Sequence, residues 1–367
     1  MESLMGLINL EHEHDFLNEL TQTRCPAAVP FAGRYRMIDF TLSNMTKSNI
    51  NEIAVFTKHK YRSLMHHLGS GVDWELNKRH GGLYILPPQE NNQSDMSKGD
   101  LKHFCNNWDY FERNKSDHVL ISGTSFISNM NYQELFQHHL DTNADVTLLT
   151  TTYNLSTEHE HCLKVDTATN GTVTAITSDK NNPHVFSGIY IIKKSLLAEL
   201  VEKCIATYKE HFFIDGIIAN LHRLNIQSYQ YNGYSFMIHS VDSYYKNSLA
   251  LLEMNNYKQL FPVGEKIYTK ISNHAPAKYN TTSNVSKSFI ATGGVIDGAV
   301  KNSLLFRGVK VQKGAVVKNA IILDDCTIEE NAHVENIIID KEVTVSKNQF
   351  LKGSEKQPFI VAKQKTV

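Results

Sequence analysis

Residues Pro26–Asn44 read PAAVPFAGRYRMIDFTLSN, and the elements on either side of this stretch decide the fold. Before it stands a short apolar strand, Leu4–Leu10, and after it a helix-like run ends near Asn49. A loop between the first strand and first helix is where an α/β sheet presents its first ligand contacts. Outward from there the rhythm repeats. Asn51–Thr57 reads as a second buried strand and His59–Leu68 as a helix, and Gly69, Gly71, Gly81, Gly82 and Pro87-Pro88 punctuate turns around a short strand, Leu83–Leu86. Asn91–Lys98 is polar and expected to be mobile. Asp100–Asn114 has a helical pattern whose Phe104, Trp108 and Phe111 form one apolar stripe facing the core. His118–Ser122, Asp145–Tyr153 and Phe186–Lys193 read as strands, and Ser195–Lys209 and Ile214–Leu224 as helices. Strands separated by helices in this order predict an α/β fold with a mostly parallel, doubly wound sheet.

Past Phe261 the period changes. Residues 261–284, with Pro262, Pro276 and many Ser, Thr and Asn, read as a linker. Beyond it Leu305, Val311, Val317 and Leu323 recur every six residues, as do Ile328 with Val334 and Ile339 with Val345, with Gly298, Gly308 and Gly314 at turns. One aliphatic residue per hexad is the signature of a left-handed parallel β-helix, each hexad forming one side of a triangular coil. The expected organisation is a Rossmann-like domain over residues 1–260, a linker over 261–284 and a β-helix over 285–367.

The 37 Lys and Arg nearly cancel the 38 Asp and Glu, so bulk charge points to neither nucleic acid nor an anionic membrane. The opening MESLMGLINL carries an acid and too short an apolar run for a signal segment or a membrane span, which predicts a cytoplasmic protein. The five cysteines, Cys25, Cys105, Cys162, Cys204 and Cys326, are scattered without a CxxC pair and are expected to be free thiols.

Several segments together resemble bacterial glucose-1-phosphate adenylyltransferases, the ADP-glucose pyrophosphorylases of glycogen synthesis. They are PAAVPFAGRYRMIDFTLSN, VFTKHKYRSLMHHL, SGIYII (Ser187–Ile192), VDSYYKNSLALL (Val241–Leu252) and PAKY (Pro276–Tyr279). The resemblance implies a nucleotidyltransferase domain followed by the β-helix. In that family a glycine-rich AGGQGTRL-like loop precedes the first segment, and its bare amides and Arg meet the nucleotide phosphates. Here Leu10, Glu11, His12, Glu13, His14, Asp15 and Phe16 stand in its place, with Phe16 at the Arg position. A carboxylate beside a phosphate charge costs about 1 kcal/mol in water at about 4 Å and about 4 kcal/mol at an effective dielectric of about 20. Two or three such carboxylates remove several decades of nucleotide affinity, since about 1.4 kcal/mol is one decade.

The other positions that the resemblance implies for catalysis have changed too. Mg²⁺ would be held by two Asp residues, because charge building up between the reacting phosphates must be neutralised. Thr124 and Met237 stand where those residues are expected. On the sugar-phosphate side Asp179 takes the place of a Lys, with Lys180 one position later as a residual ligand candidate. Pro26 replaces another Lys, and Phe186 replaces a Ser. Gly99 and Asp215 are retained, although such residues commonly serve as a turn and a helix cap. Arg34 and Arg36 are candidates for a sugar-phosphate or anionic effector, or for an internal ion pair. The pattern resembles the non-catalytic, GlgD-type members of the family. It implies a regulatory subunit, silent alone, beside a catalytic GlgC-type partner in a heterotetramer, with no cofactor of its own.

Other readings compete with this one. An atypical adenylyltransferase using Mg²⁺ would need replacement carboxylates. A hexapeptide acyltransferase could use His333, and a scaffold like the initiation factor 2B subunits shares the architecture without the glycogen-family segments. The EHEH stretches Glu11–His14 and Glu158–His161 are weak metal-ligand candidates against a default reading as polar loops. His66-His67 and His138-His139 are expected on solvated helix faces.

Overall fold

The structure, a computed structural model, describes residues 2–11, 13, 15–78, 81–88, 99–153, 159–354 and 358–367. The stretch Asn91–Lys98 lies outside the described residues. The chain divides into two compact units, one of Met1–His14, Thr41–Tyr61 and Leu68–Gly233, the other of Asp15–Phe40, Arg62–His67 and Tyr234–Val367.

In the first unit Leu4–Asn9 lies at the centre of a nine-stranded sheet, parallel to Glu52–Phe56 on one side and to His118–Ser122 on the other. Gly82–Leu86 extends it in parallel at one edge. At the other end His184–Lys193 runs antiparallel to both His118–Ser122 and Val146–Thr152, with a bulge between Phe186 and Tyr190. Lys164–Thr167 and Val173–Thr177 add an antiparallel hairpin there. The centre is therefore parallel, as the strand and helix alternation predicts, and the sheet becomes mixed beyond it.

Apolar strands at the centre are covered on both faces, which is why they read as continuous hydrophobic runs. Met5, Leu7, Phe56, Val119 and Ile121 pack with Phe104 and Phe111 in one core. The aromatic stripe is core, as expected, with Phe56 and Phe104 edge to face at 5.1 Å and Trp108 stacked on Phe111 at 5.5 Å. Two helices differ from expectation. Asp100–Asn114 breaks at Asn107 into Gly99–Asn106 and Trp108–Arg113, with the Asn107 amide donating back to the His103 carbonyl. Ile214–Leu224 is replaced by a wide π-turn, Phe212–Ile217, followed by short 3₁₀ turns.

In the second unit the β-helix begins with Lys278–Tyr279, and residues 265–277 carry no regular secondary structure. Ala299 pairs with Val316, Val316 with His333 and His333 with Phe350, each seventeen residues apart. Three full hexads would need eighteen, and the missing residue is the five-residue step from Val317 to Ile322 and from Val334 to Ile339, so that Ile322, not the expected Leu323, belongs to the coil interior. Val311, Val317, Ile322, Ile328, Val334 and Ile339 fill the coil interior. At one corner Asn302, Asn319 and Asn336 take left-handed backbone angles of φ 48°, 48° and 52°, which Asn tolerates better than other side chains. Their amides form a ladder of 2.8 and 3.0 Å that ends on the Gly353 carbonyl at 3.2 Å.

The Val241–Ala250 helix starts from a capping box between Ser240 and Ser243. Its Tyr244 hydroxyl donates to the Pro30 carbonyl at 2.7 Å, and its Tyr245 hydroxyl donates to the Asn319 carbonyl at 2.5 Å. Both bonds tie the segment around Pro26–Phe40 and the coil into one body. Arg24 adds a buried, two-pronged ion pair to Asp340, each contact 2.8 Å.

Candidate functional site

After the first strand the described amides of Glu11 and Glu13 are bonded within the loop. Glu11 follows Asn9, whose side-chain oxygen accepts from the Glu11 amide at 3.2 Å, and the Glu13 amide donates to the Leu10 carbonyl at 3.2 Å. Lys58 lies under the loop with its ammonium 3.4 and 3.5 Å from the carbonyls of Glu11 and Glu13. The Glu11 carboxylate is 3.7 Å from the His103 imidazole. Burial pushes the Glu11 carboxyl up, but His103, Lys58 and His59 outweigh it and hold the group below the usual carboxylate range.

The Glu13 carboxyl enters the turn that follows His118–Ser122. One of its oxygens accepts from the Thr124 hydroxyl at 2.7 Å and from the Thr124 amide. The other oxygen is buried with no hydrogen-bond partner among the described residues. Burial pushes the Glu13 carboxyl up, against the opposing pull of the Thr124 hydroxyl and the amides of Thr124 and Ser125. A Cβ on Gly123 would sit 3.1 Å from the Glu13 carboxyl, so the turn accommodates the glutamate closely. The acid of the first loop is thus held by Thr124 of the second turn. His12 and His14 lie outside the described residues.

The residues do not fit Mg²⁺. Thr124 already donates its hydroxyl to Glu13, and Met237 offers only a buried thioether, whereas Mg²⁺ takes carboxylate, phosphate and water oxygens.

The remaining candidates have local partners. Asp179 sits in an exposed turn and accepts from the Asn181 amide at 2.9 Å, and Lys180 is exposed and paired with Glu160 at 2.6 Å. Phe186 is buried and stacks on Phe213 at 4.7 Å, so this position is core rather than ligand surface. Gly99 has φ 58°, and a Cβ there would lie 2.3 Å from the Glu210 carbonyl, which makes it a structural requirement. Asp215 accepts from the His211 amide at 3.0 Å and from the Glu210 amide at 3.3 Å, capping the π-turn.

In the second unit Phe16 is half-exposed and Pro26 opens a 3₁₀ turn. Arg34 is exposed, its guanidinium 4.8 Å from the Tyr35 ring centre and donating to the Tyr35 hydroxyl at 2.7 Å. Arg36 donates to the Ser63 carbonyl at 2.8 Å and to the Ser63 hydroxyl at 3.0 Å. Burial pushes its guanidinium down, with Asp39 opposing.

Two histidine expectations are corrected. His67 is buried against Asp39 at 2.6 Å, and burial pushes it below its ordinary value despite that carboxylate. His139 is fully buried, bonded to the Thr147 hydroxyl at 2.8 Å, and its ring stands edge-on to the His118 ring at 4.9 Å. A polar pair on a short helix gave no sign of which member faces inward. His333 stacks on Phe350 at 4.8 Å and lies 3.6 Å from Glu335, an arrangement that occupies both its face and one ring nitrogen. Glu158 lies outside the described residues.

The Glu13–Thr124 contact was not foreseen. The two residues lie 111 positions apart, and the sequence carries no local signal that joins them.

A parallel-centred sheet and a hexapeptide coil in one chain define the nucleotidyltransferase class. Residues 17–253 match the nucleotidyl transferase family, and residues 273–357 match the GlmU-like C-terminal hexapeptide family. The chain belongs to the GlgD family of glycogen biosynthesis proteins, a family related to glucose-1-phosphate adenylyltransferases. It is 40% identical over 364 residues to glycogen biosynthesis protein GlgD of Geobacillus stearothermophilus, covering 98% of this chain and 96% of that one. It is 32% identical over 315 residues to GlgD of Bacillus subtilis, covering 85% and 81%. Glucose-1-phosphate adenylyltransferase of Geobacillus stearothermophilus is 31% identical over 312 residues, covering 82% and 79%. Among the described residues no helix is long and apolar enough to cross a membrane.

Proposed function

We propose that this chain is a regulatory or structural subunit of a glucose-1-phosphate adenylyltransferase, without turnover of its own, and that it acts in the cytoplasm on a catalytic GlgC-type partner in a heterotetramer. The observation that carries the reading is the Glu13–Thr124 contact. An active site of this class needs an open, amide-lined loop for phosphates and a carboxylate for the metal. Here an acid from the loop bonds the threonine that stands for the metal carboxylate. The chain needs no cofactor in this role. The buried coil and the Arg24–Asp340 pair keep a rigid body independent of the lost chemistry, as expected of a subunit retained for its surfaces. Arg34 and Arg36 remain the residues through which an anionic or sugar-phosphate effector would act.

The test is an assay of the purified chain with ATP, glucose-1-phosphate, Mg²⁺ and pyrophosphatase. The expected result is no ADP-glucose above the enzyme-free control. Turnover of about 1 per second or more would place the chain among ordinary enzymes and reject the reading.

A further inference from the structure

The Gly123–Ser125 turn presents hydrogen-bond donors to an oxygen that this chain supplies itself. The Thr124 amide and hydroxyl converge on a single oxygen of Glu13. Lys58 lies nearby, its ammonium within 3.5 Å of the Glu13 carbonyl. An amide, a hydroxyl and a nearby ammonium form the kind of donor set that holds phosphate or carboxylate oxygens. The occupant fits imperfectly, because its second oxygen is buried without a partner among the described residues. A buried, unpaired acceptor costs about 1–3 kcal/mol. A ligand that satisfied its oxygens better would therefore compete with it.

We propose that the Gly123–Ser125 turn is an oxyanion seat and that Glu13 is its internal occupant, an autoinhibitory contact that excludes small phosphate-bearing molecules. The seat is built from Thr124 and flanked by Lys58, and it discriminates by whether Glu13 fills it. This inference concerns the isolated chain and does not depend on the regulatory reading.

The test follows the Thr124 amide by NMR during titration with inorganic phosphate. In the wild-type chain the resonance should hold still over the millimolar range. In Glu13→Ala it should shift saturably, with a dissociation constant at least about tenfold lower than in wild type, equivalent to about 1.4 kcal/mol. Glu13→Gln, whose side-chain oxygen can still accept from Thr124, should behave as wild type. Adding Thr124→Val to Glu13→Ala should remove the phosphate response. Should Glu13→Ala fail to give a folded spectrum, Glu13→Ser vacates the seat with a smaller polar side chain and carries the same expectation. Equal phosphate binding by wild type and Glu13→Ala overturns the proposal, as does no saturable shift in either vacating variant. Phosphate binding that survives Thr124→Val overturns it as well, by locating the anion elsewhere.

Discussion

Replacing Arg24 by alanine removes one half of a buried ion pair and leaves the other half behind. Arg24 is 3% exposed and Asp340 is 1% exposed, and one guanidinium nitrogen reaches both carboxylate oxygens at 2.8 Å. After the substitution the Asp340 carboxylate keeps, among the described residues, the Lys341 amide, which donates to it at 2.7 Å, and stays buried. Breaking a buried pair from one side costs about 3–5 kcal/mol, because an uncompensated charge is stranded. Arg24→Lys should recover part of the loss, since an ammonium restores the charge to a pair in which one nitrogen makes both contacts, although on a differently shaped side chain. Arg24→Met combined with Asp340→Asn should recover most of it, because neither charge is then buried. Urea unfolding of the purified chain, read as a shift in midpoint at unchanged slope, measures each effect. A loss below about 1 kcal/mol for Arg24→Ala is the range of solvent-exposed pairs, and would mean that water reaches this contact in solution.

Three further outcomes are expected. Burial, followed by the neighbouring His118 and Lys193, pushes His139 down to about 3, so the unfolded chain binds a proton that the folded chain refuses. The associated stability is fully present above the unfolded value near pH 6.5 and falls by about 1.4 kcal/mol per pH unit toward pH 3, a slope that His139→Leu should reduce in acid titrations of stability. Gly99→Ala should lower stability by about 1–3 kcal/mol in thermal melts, because its left-handed backbone and the Glu210 carbonyl leave no place for a Cβ. Asn319→Ala should cost about 1–3 kcal/mol, since it takes the acceptor from the Asn302 side-chain N–H and the donor from the buried Asn336 side-chain oxygen, and hydrogen exchange of the adjacent coils should report the opening.

The architecture was legible because its signals are periodic. Apolar strands such as His118–Ser122 carry their boundaries in composition, and the β-helix announces itself by aliphatic spacing, although the strict six-residue count hid the five-residue step that shortens each coil and puts Ile322 in the place expected of Leu323. Breaks set by a single side chain were not legible. Asn107 ends one helix by donating to a carbonyl four residues back, which looks in sequence like any polar helix residue. The antiparallel hairpin Lys164–Thr177 was missed because its strands are short and half polar. Of the site, the sequence offered expected positions by resemblance but not the contacts that the residues there make. Glu13 and Thr124 are 111 positions apart, and only the fold brings them together. His67 and His139 were misplaced for a related reason: histidine is equally at home on a wet surface and beside one buried hydrogen-bond partner.

A chain that has exchanged chemistry for partnership must alter the kinetics of a catalytic subunit. A glucose-1-phosphate adenylyltransferase of the GlgC type is held at fixed concentration while this chain is added, with size-exclusion and light scattering on the same mixtures. The account predicts one co-migrating hetero-oligomer whose turnover, substrate affinity or effector response changes until the chain is stoichiometric and then stays constant. Separate elution with unchanged kinetics at every ratio would contradict it.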